Sequence, residues 1–272
     1  MINYNLEKFK DLNTNFLNNS FFPHIVIDNF LKADFCDIVE KEISGSAQHA
    51  KPYYVYNVKK FGLTDYNSFG ENTTKLIQFL NSQEFLLKLE ALTGIKNLIS
   101  DSSLEGGGLH FTKKDGYLKI HADFQSHIIK KTFARRLNLL LYFNRNWTEN
   151  NNGNIEFWNK DLNEKVSYTP DFNRIVIFKT DEFSYHGHPE KLIPPDGILF
   201  RKSLALYYYT DEKKELALKE TNFKSLKSDS YLSSLAMKVD QYMLRVFSYL
   251  KRKNILSDKF VTKILSLFVK NK

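Results

Sequence analysis

Two histidines and an aspartate define the chemistry this sequence could perform. His121-Ala-Asp123 sets an imidazole and a carboxylate two residues apart, and His186 supplies a second imidazole further along. Two imidazoles and one carboxylate form the ligand set that holds a non-haem Fe(II) on one face and leaves the opposite positions open. In an extended strand residues i and i+2 project to the same side, so His121 and Asp123 can share one metal. The same alternation lets Arg201 and Ser203 of Arg201-Lys-Ser203 share one pocket wall. There the planar guanidinium offers a fixed cation where a dicarboxylate co-substrate could dock.

The spacing alone is weak. With 7 His and 31 Asp+Glu in 272 residues, about 0.8 His-x-Asp/Glu pairs arise by chance. A second pair, His188-Pro-Glu190, is read as incidental because a proline separates its members in a turn-like stretch. For the third ligand His186 is preferred over His188, which precedes Pro189 at a bend and is left to line the substrate mouth. Lys202 points to the strand face opposite Arg201 and is assigned to the surface. His110 and His127 are read as packed, hydrogen-bonded residues before ligand contacts, and Trp147 and Trp158 as hairpin or core packing. Of Tyr207, Tyr208 and Tyr209, only one alternation set can face a pocket.

The elements that must position these residues fall into three stretches. Ile25-Val-Ile27 has strand character, and Asp28 or Asn29 is expected to open a helix through about Ile43. Residues 50–70 read as a strand followed by a loop. Asn72 to Leu92 carries apolar residues at helical spacing, as one or two helices that Gly94 ends. From Gly106 the period shortens. Strands are expected at Leu109–Thr112, Tyr117–Asp123, Leu137–Phe143, Ile155–Trp158, Lys165–Thr169, Arg174–Thr180 and Ser203–Tyr209, a pitch that suits a β-sandwich or barrel. After Thr210 helical spacing returns. Leu232, Leu235, Val239, Met243, Val246 and Leu250 form one stripe, and Phe260, Ile264 and Leu267 another.

Several ordered motifs carry a family resemblance. Gly106-Gly-Gly-Leu-His110, Gly116-Tyr-Leu-Lys-Ile-His-Ala-Asp-Phe124, Arg136-Leu-Asn-Leu-Leu-Leu-Tyr-Phe-Asn144, Trp147, Ser184-Tyr-His-Gly-His-Pro189 and Arg201-Lys-Ser-Leu-Ala-Leu-Tyr-Tyr-Tyr-Thr210 resemble the Fe(II)/2-oxoglutarate oxygenases of the prolyl 4-hydroxylase type. The match covers roughly residues 105–210, and Pro23 to Leu31 resembles the entry strand and helix of that group. The resemblance implies an α+β protein with a double-stranded β-helix (jelly-roll) core. Residues 1–104 would be its N-terminal support, 105–210 the catalytic core and 211–272 a basic helical extension. It implies His121, Asp123 and His186 as iron ligands, and Arg201 with Ser203 for the distal carboxylate of 2-oxoglutarate. Tyr142 would touch the same carboxylate, and alternation places Asn138, Leu140 and Tyr142 on one face. The activity implied is hydroxylation of an unactivated C–H bond with O2, yielding succinate and CO2. The substrate would be a prolyl or other residue of a protein, or a small molecule such as a sugar or glycan precursor. Two features depart from the pattern. Asn152-Gly153 stands where a glycine pair is usual, and the tyrosine common before His-x-Asp is missing, with Phe111 or His110 nearest.

Bulk properties bound the alternatives. Hydrophobic content of 42% and aromatic content of 15% describe a folded chain. One cysteine, Cys36, excludes an internal disulfide framework and fits a reducing compartment. The first residues lack a basic segment followed by an apolar one, and no run approaches the ~18 apolar residues of a membrane span. A cytoplasmic protein is expected. Of the net charge of +8, residues 211–272 hold +7 (14 Lys+Arg against 7 Asp+Glu), leaving the remainder near neutral. No nucleic-acid partner is suggested. The tail helices are expected to bury their stripes on the barrel or another subunit, with peripheral membrane contact the less favoured role. A non-catalytic binding protein on the same fold would lack a ligand or the arginine, and Arg201-Lys-Ser203 argues against a cupin-like metal enzyme without 2-oxoglutarate.

Overall fold

A computed structural model describes residues 1–253 and Ile255. Its helices are α1 (Asn13–Leu17), α2 (Ala33–Ser46), α3 (Glu71–Leu80), α4 (Gln83–Thr93) and α5 (Tyr231–Arg252). The first strands are β1 (His24–Ile27), β2 (Lys51–Val55), β3 (Val58–Leu63) and β4 (Ile99–Ser100). The central ones are β5 (Gly108–Thr112), β6 (Tyr117–Ala122), β7 (Phe133–Tyr142), β8 (Ile155–Trp158) and β9 (Lys165–Tyr168). The last are β10 (Ile175–Lys179), β11 (Tyr185–His188), β12 (Arg201–Asp211) and β13 (Asn222–Phe223).

The strands make one curled antiparallel sheet in the order β1-β10-β7-β12-β5-β3-β6-β11-β8-β9. The bend is at β3, whose Phe61–Leu63 end pairs with β5 and whose Val58–Lys59 end pairs with β6. The two arms therefore face each other as a jelly roll, the expected double-stranded β-helix. β7 is apolar along most of its length because both its faces are covered. Leu137, Leu139 and Leu141 join Leu204, Leu206, Ile175 and Ile177 against the helices, while Asn138, Leu140 and Tyr142 line the space between the arms. Truncating any one of these fully buried leucines to alanine should cost about 2–5 kcal/mol.

The helical layer follows from its sequence. Cys36, Val39 and Ile43 of α2, and Leu76, Ile77 and Leu80 of α3, present apolar residues at helical spacing to the sheet. Glu42 of α2 accepts from the backbone N–H of Asn72 (3.1 Å) and Thr73 (2.7 Å), placing a carboxylate at the positive end of α3. Ser82 caps α4, and Gly94 ends it in the left-handed conformation (φ 74°). The first long helix starts at Ala33, later than Asp28 or Asn29. Asn29 is itself left-handed (φ 52°), and the Asn173 side chain holds both backbone groups of Leu31 at 2.8 Å, which keeps this stretch extended.

Three further differences bear on the site. Residues 50–70 form a hairpin, β2–β3, and not one strand. His188, read as standing at a bend before Pro189, is the last residue of strand β11. The stripe of Leu232, Leu235, Val239 and Met243 on α5 faces away from the barrel, each 49–74% exposed. α5 docks by another face, through Met237, Leu244 and Asp240, which accepts from the N–H of Tyr56 and Asn57. The stripe at Phe260, Ile264 and Leu267 lies outside the described residues. No described helix is long and apolar enough to cross a membrane.

Candidate active site

β6 and β11 are neighbours, and their register sets His121 directly opposite His186. Asp123 follows β6 by one residue and returns to the same face. One ligating atom from each of the three lies within 4.8 Å of the others, and all three side chains are buried. His121 Nε2 is 3.5 Å and His186 Nε2 3.3 Å from the Asp123 carboxylate. Each ring donates its Nδ1–H to a carbonyl two residues earlier, Lys119 and Ser184, both at 2.9 Å. That fixes the tautomer and leaves Nε2 as the metal donor. Burial and the neighbouring His186 push the pKa of His121 down, against the pull of Asp123, so the ring is neutral as a ligand must be. Gly187 lies where β11 crosses β6 closely; a Cβ there would stand 2.8 Å from the Leu118 carbonyl.

Asp123 is braced from β7. Its Oδ2 accepts from Arg135 (3.0 Å) and from Asn138 Nδ2 (2.6 Å), and Arg135 Nε donates to Asn138 Oδ1 (2.8 Å). The Arg135 guanidinium lies between Tyr207 (3.3 Å to the ring centroid) and Phe124 (4.4 Å), with no side-chain exposure. Burial works against ionising Asp123, yet Arg135, His186 and the histidine hydrogen bonds hold it well below the usual carboxylate range. Strict alternation would turn Arg135 away from Asn138. A bulge prevents this: Tyr208 pairs with Leu137 but Tyr209 with Arg135, so Arg136 is the extra residue and Arg135 swings inward.

The other end of the pocket is cationic. Arg201, buried, donates Nε to the Gly153 carbonyl (2.7 Å) and lies 4.9 Å from the Tyr142 ring centroid. Gly153 is left-handed (φ 78°), and a Cβ there would meet Leu192 at 2.3 Å and Arg201 at 3.1 Å, so the Asn152-Gly153 turn seats the arginine. Ser203 pairs with Tyr142 on one side and His110 on the other. The Tyr142 hydroxyl and His188 Nδ1 are buried without a hydrogen-bond partner. Burial, reinforced by Arg201 and Lys60, drives His188 well below the ordinary histidine range. Lys60 of β3 reaches in to 3.4 Å from both ring nitrogens of His110. Burial lowers the Lys60 pKa to about 8, with Asp123 opposing and Arg201 and Arg135 assisting.

These groups line a cavity of about 630 Å³. Its mouth is walled by the β2–β3 hairpin (Pro52, Tyr53), the segment 103–107, Phe223, and Leu244 and Phe247 of α5. An ion pair between Glu105 and Lys251 (2.8 Å) joins the 103–107 segment to α5.

Residues 107–209 match the family model of the 2OG-Fe(II) oxygenase superfamily. That segment spans β5 to β12 and carries His121, Asp123, His186 and Arg201. Three solved structures share the fold. A prolyl hydroxylase from Trichoplax adhaerens, in complex with a hypoxia inducible factor oxygen degradation domain peptide fragment, is 18% identical, with a TM-score of 0.55 over 76% of this chain and 91% of that one. A Pseudomonas putida prolyl-4-hydroxylase is 14% identical, with a TM-score of 0.51 over 76% of this chain and 100% of that one. SnoN, the non-heme alpha ketoglutarate dependent epimerase from nogalamycin biosynthesis, is 10% identical, with a TM-score of 0.51 over 75% of this chain and 83% of that one. No curated protein sequence matches the chain.

The pocket residues fit Fe(II) and 2-oxoglutarate, the two groups in the description of the matching family. Two neutral imidazoles and a carboxylate converge for the metal. For the co-substrate, the pocket holds a buried arginine without a carboxylate partner among the described residues, and an orphaned tyrosine hydroxyl beside it. Other expected residues fall differently. Asn138 lines the pocket but bonds Asp123, so it steadies the carboxylate and does not point at Arg201. His188 is buried and lines the pocket. Lys202 is buried, its ammonium on Glu40 and Ser44 of α2; the far face of β12 is covered by that helix. His127 is buried against Asp101 (3.3 Å) and accepts from two backbone N–H groups, a packed residue away from the pocket. Trp147 packs in the hairpin with its Nε1–H on the Asn152 carbonyl. Two residues of the site, Lys60 on the pocket wall and Arg135 behind Asp123, carried no signal in the sequence. Lys60 stood in a stretch with no motif, and Arg135 was hidden by the bulge.

Proposed function

We propose that the protein hydroxylates an unactivated C–H bond of a small molecule, with succinate and CO2 as co-products. The observation that supports it best is the convergence of His121, Asp123 and His186 in one pocket with Arg201 and Tyr142. In this reading His121, Asp123 and His186 ligate Fe(II), which when bound supplies the oxidising chemistry. Arg201 takes the distal carboxylate of 2-oxoglutarate, with Tyr142 donating its hydroxyl and Ser203 beside them. Arg135 and Asn138 occupy one oxygen of Asp123, so the other is presented to the metal in one orientation. α5 and the 103–107 segment line the pocket of about 630 Å³ and narrow the approach to it, which favours a small molecule over the surface of a folded protein. The single buried thiol, Cys36, agrees with a cytoplasmic location.

The test is turnover. Anaerobically purified protein supplied with Fe(II), 2-oxoglutarate and O2 should form succinate, and faster when an accepted substrate is present. Asp123→Ala should abolish iron-dependent turnover. Arg201→Ala should mainly weaken 2-oxoglutarate binding, by about 30-fold or more if truncating a buried charged partner costs 2–5 kcal/mol. Absence of turnover together with absence of iron or 2-oxoglutarate binding would refute the assignment.

A further inference from the structure

The charges around the pocket do not cancel. Each acidic group on its wall already has a cation: Asp123 has Arg135, Glu105 has Lys251, and Glu220 faces Arg245 at 4.0 Å. Arg201 and Lys60 have no carboxylate partner among the described residues, and both line the cavity. Arg201 is accounted for by the co-substrate. Lys60 is not. Its contacts with His110 are long for hydrogen bonds, and a neutral imidazole does not offset an ammonium charge. Burial lowers the pKa of Lys60, which means that its charge costs the fold energy when nothing negative is bound.

Lys60 also stands apart from the shared machinery. It comes from β3, outside residues 107–209 that match the superfamily model. β3 belongs to the hairpin that carries Tyr53 and meets α5, the part of the wall enclosing the mouth. The ammonium shares the cavity with His121, Asp123 and His186, and the apolar Phe223, Leu244 and Phe247 line the same space.

We propose that Lys60, backed by His110, binds an anionic group of the primary substrate, a carboxylate or a phosphate. The proposal names a substrate class for the same site, and rests on the reading that Arg201 holds 2-oxoglutarate. The substrate is then a small organic acid or phosphate ester whose remaining body contacts the apolar mouth.

Calorimetry on the Fe(II)-loaded protein under anaerobic conditions tests it in two steps. 2-Oxoglutarate is titrated first, and the saturated complex is then titrated with inorganic phosphate and with butanoate. In the wild type at least one anion should bind, and which one binds distinguishes phosphate from carboxylate recognition. Lys60→Met should weaken that second binding at least tenfold, Lys60→Arg should retain it, and both should bind 2-oxoglutarate within threefold of wild type. A tenfold loss of 2-oxoglutarate affinity in Lys60→Met would instead assign the lysine to the co-substrate and overturn the proposal. Anion binding absent from the wild type, or equal in the wild type and Lys60→Met, would overturn it too. Failure of 2-oxoglutarate to bind the wild type would show at the first step, refuting the co-substrate assignment and the proposal together.

Discussion

Replacing Arg135 with methionine should destabilise the metal-free enzyme in a way that depends on Asp123. The guanidinium has no side-chain exposure and Asp123 has 10%, and they meet at 3.0 Å. Removing one partner of such a pair leaves an uncompensated buried charge, at a cost of about 3–5 kcal/mol. For a chain of this size each kcal/mol shifts Tm by about 2–4 °C, so the midpoint should fall by about 6–20 °C. Lost stacking between Tyr207 and Phe124 contributes to that fall whatever the charge of residue 123. A double-mutant cycle separates the two parts. With Asp123→Asn in the background, the charge to be compensated is gone, and Arg135→Met should cost at least about 1 kcal/mol less than in the wild type. Urea unfolding of the four metal-free proteins, with unchanged m-values, measures the coupling. A coupling below about 0.5 kcal/mol would refute the idea that Arg135 is there for the carboxylate, and leave it as packing.

Three other outcomes follow from the geometry. His186→Gln should weaken Fe(II) binding by more than the about 10–100-fold typical of losing an outer partner, whereas His188→Gln should leave it within about threefold; equal losses in an anaerobic iron titration would contradict the ligand choice. Asp240→Ala leaves the N–H groups of Tyr56 and Asn57 without their acceptor, at about 1–3 kcal/mol, so hydrogen exchange in α5 should accelerate while the β7 and β12 core does not change. Lys60→Met should raise Tm by a few degrees near neutral pH. The folded pKa of Lys60, about 8 beside His110, Arg201, Arg135 and Asp123, lies below the unfolded value of about 10.4. The buried charge therefore weighs fully on the native state below pH 8, and the gain from its removal should fade between about pH 8 and 10.4; thermal melts across that range would show a pH-independent difference if the lysine were solvated.

The candidate ligand types were legible along the chain because local periodicity carries them. A strand puts i and i+2 on one side, and that relation brought His121 together with Asp123 and Arg201 with Ser203 without knowledge of the fold. The alternating leucines of β7 and the helical spacing of α2 to α4 likewise announced a sheet covered by helices. Contacts between distant segments were not legible in this way. Lys60 enters the pocket only because β3 bends across both arms of the sheet. Arg135 reaches Asp123 only because one extra residue in β7 reverses the alternation, and Lys202 is buried only because α2 covers the far face of β12. The sequence by itself determined which groups can ligate a metal and grip a carboxylate, since that is a property of residue type and short-range spacing. The tertiary structure decided which cations are compensated and which are not, because charge balance in a buried pocket is set by neighbours far apart in the chain.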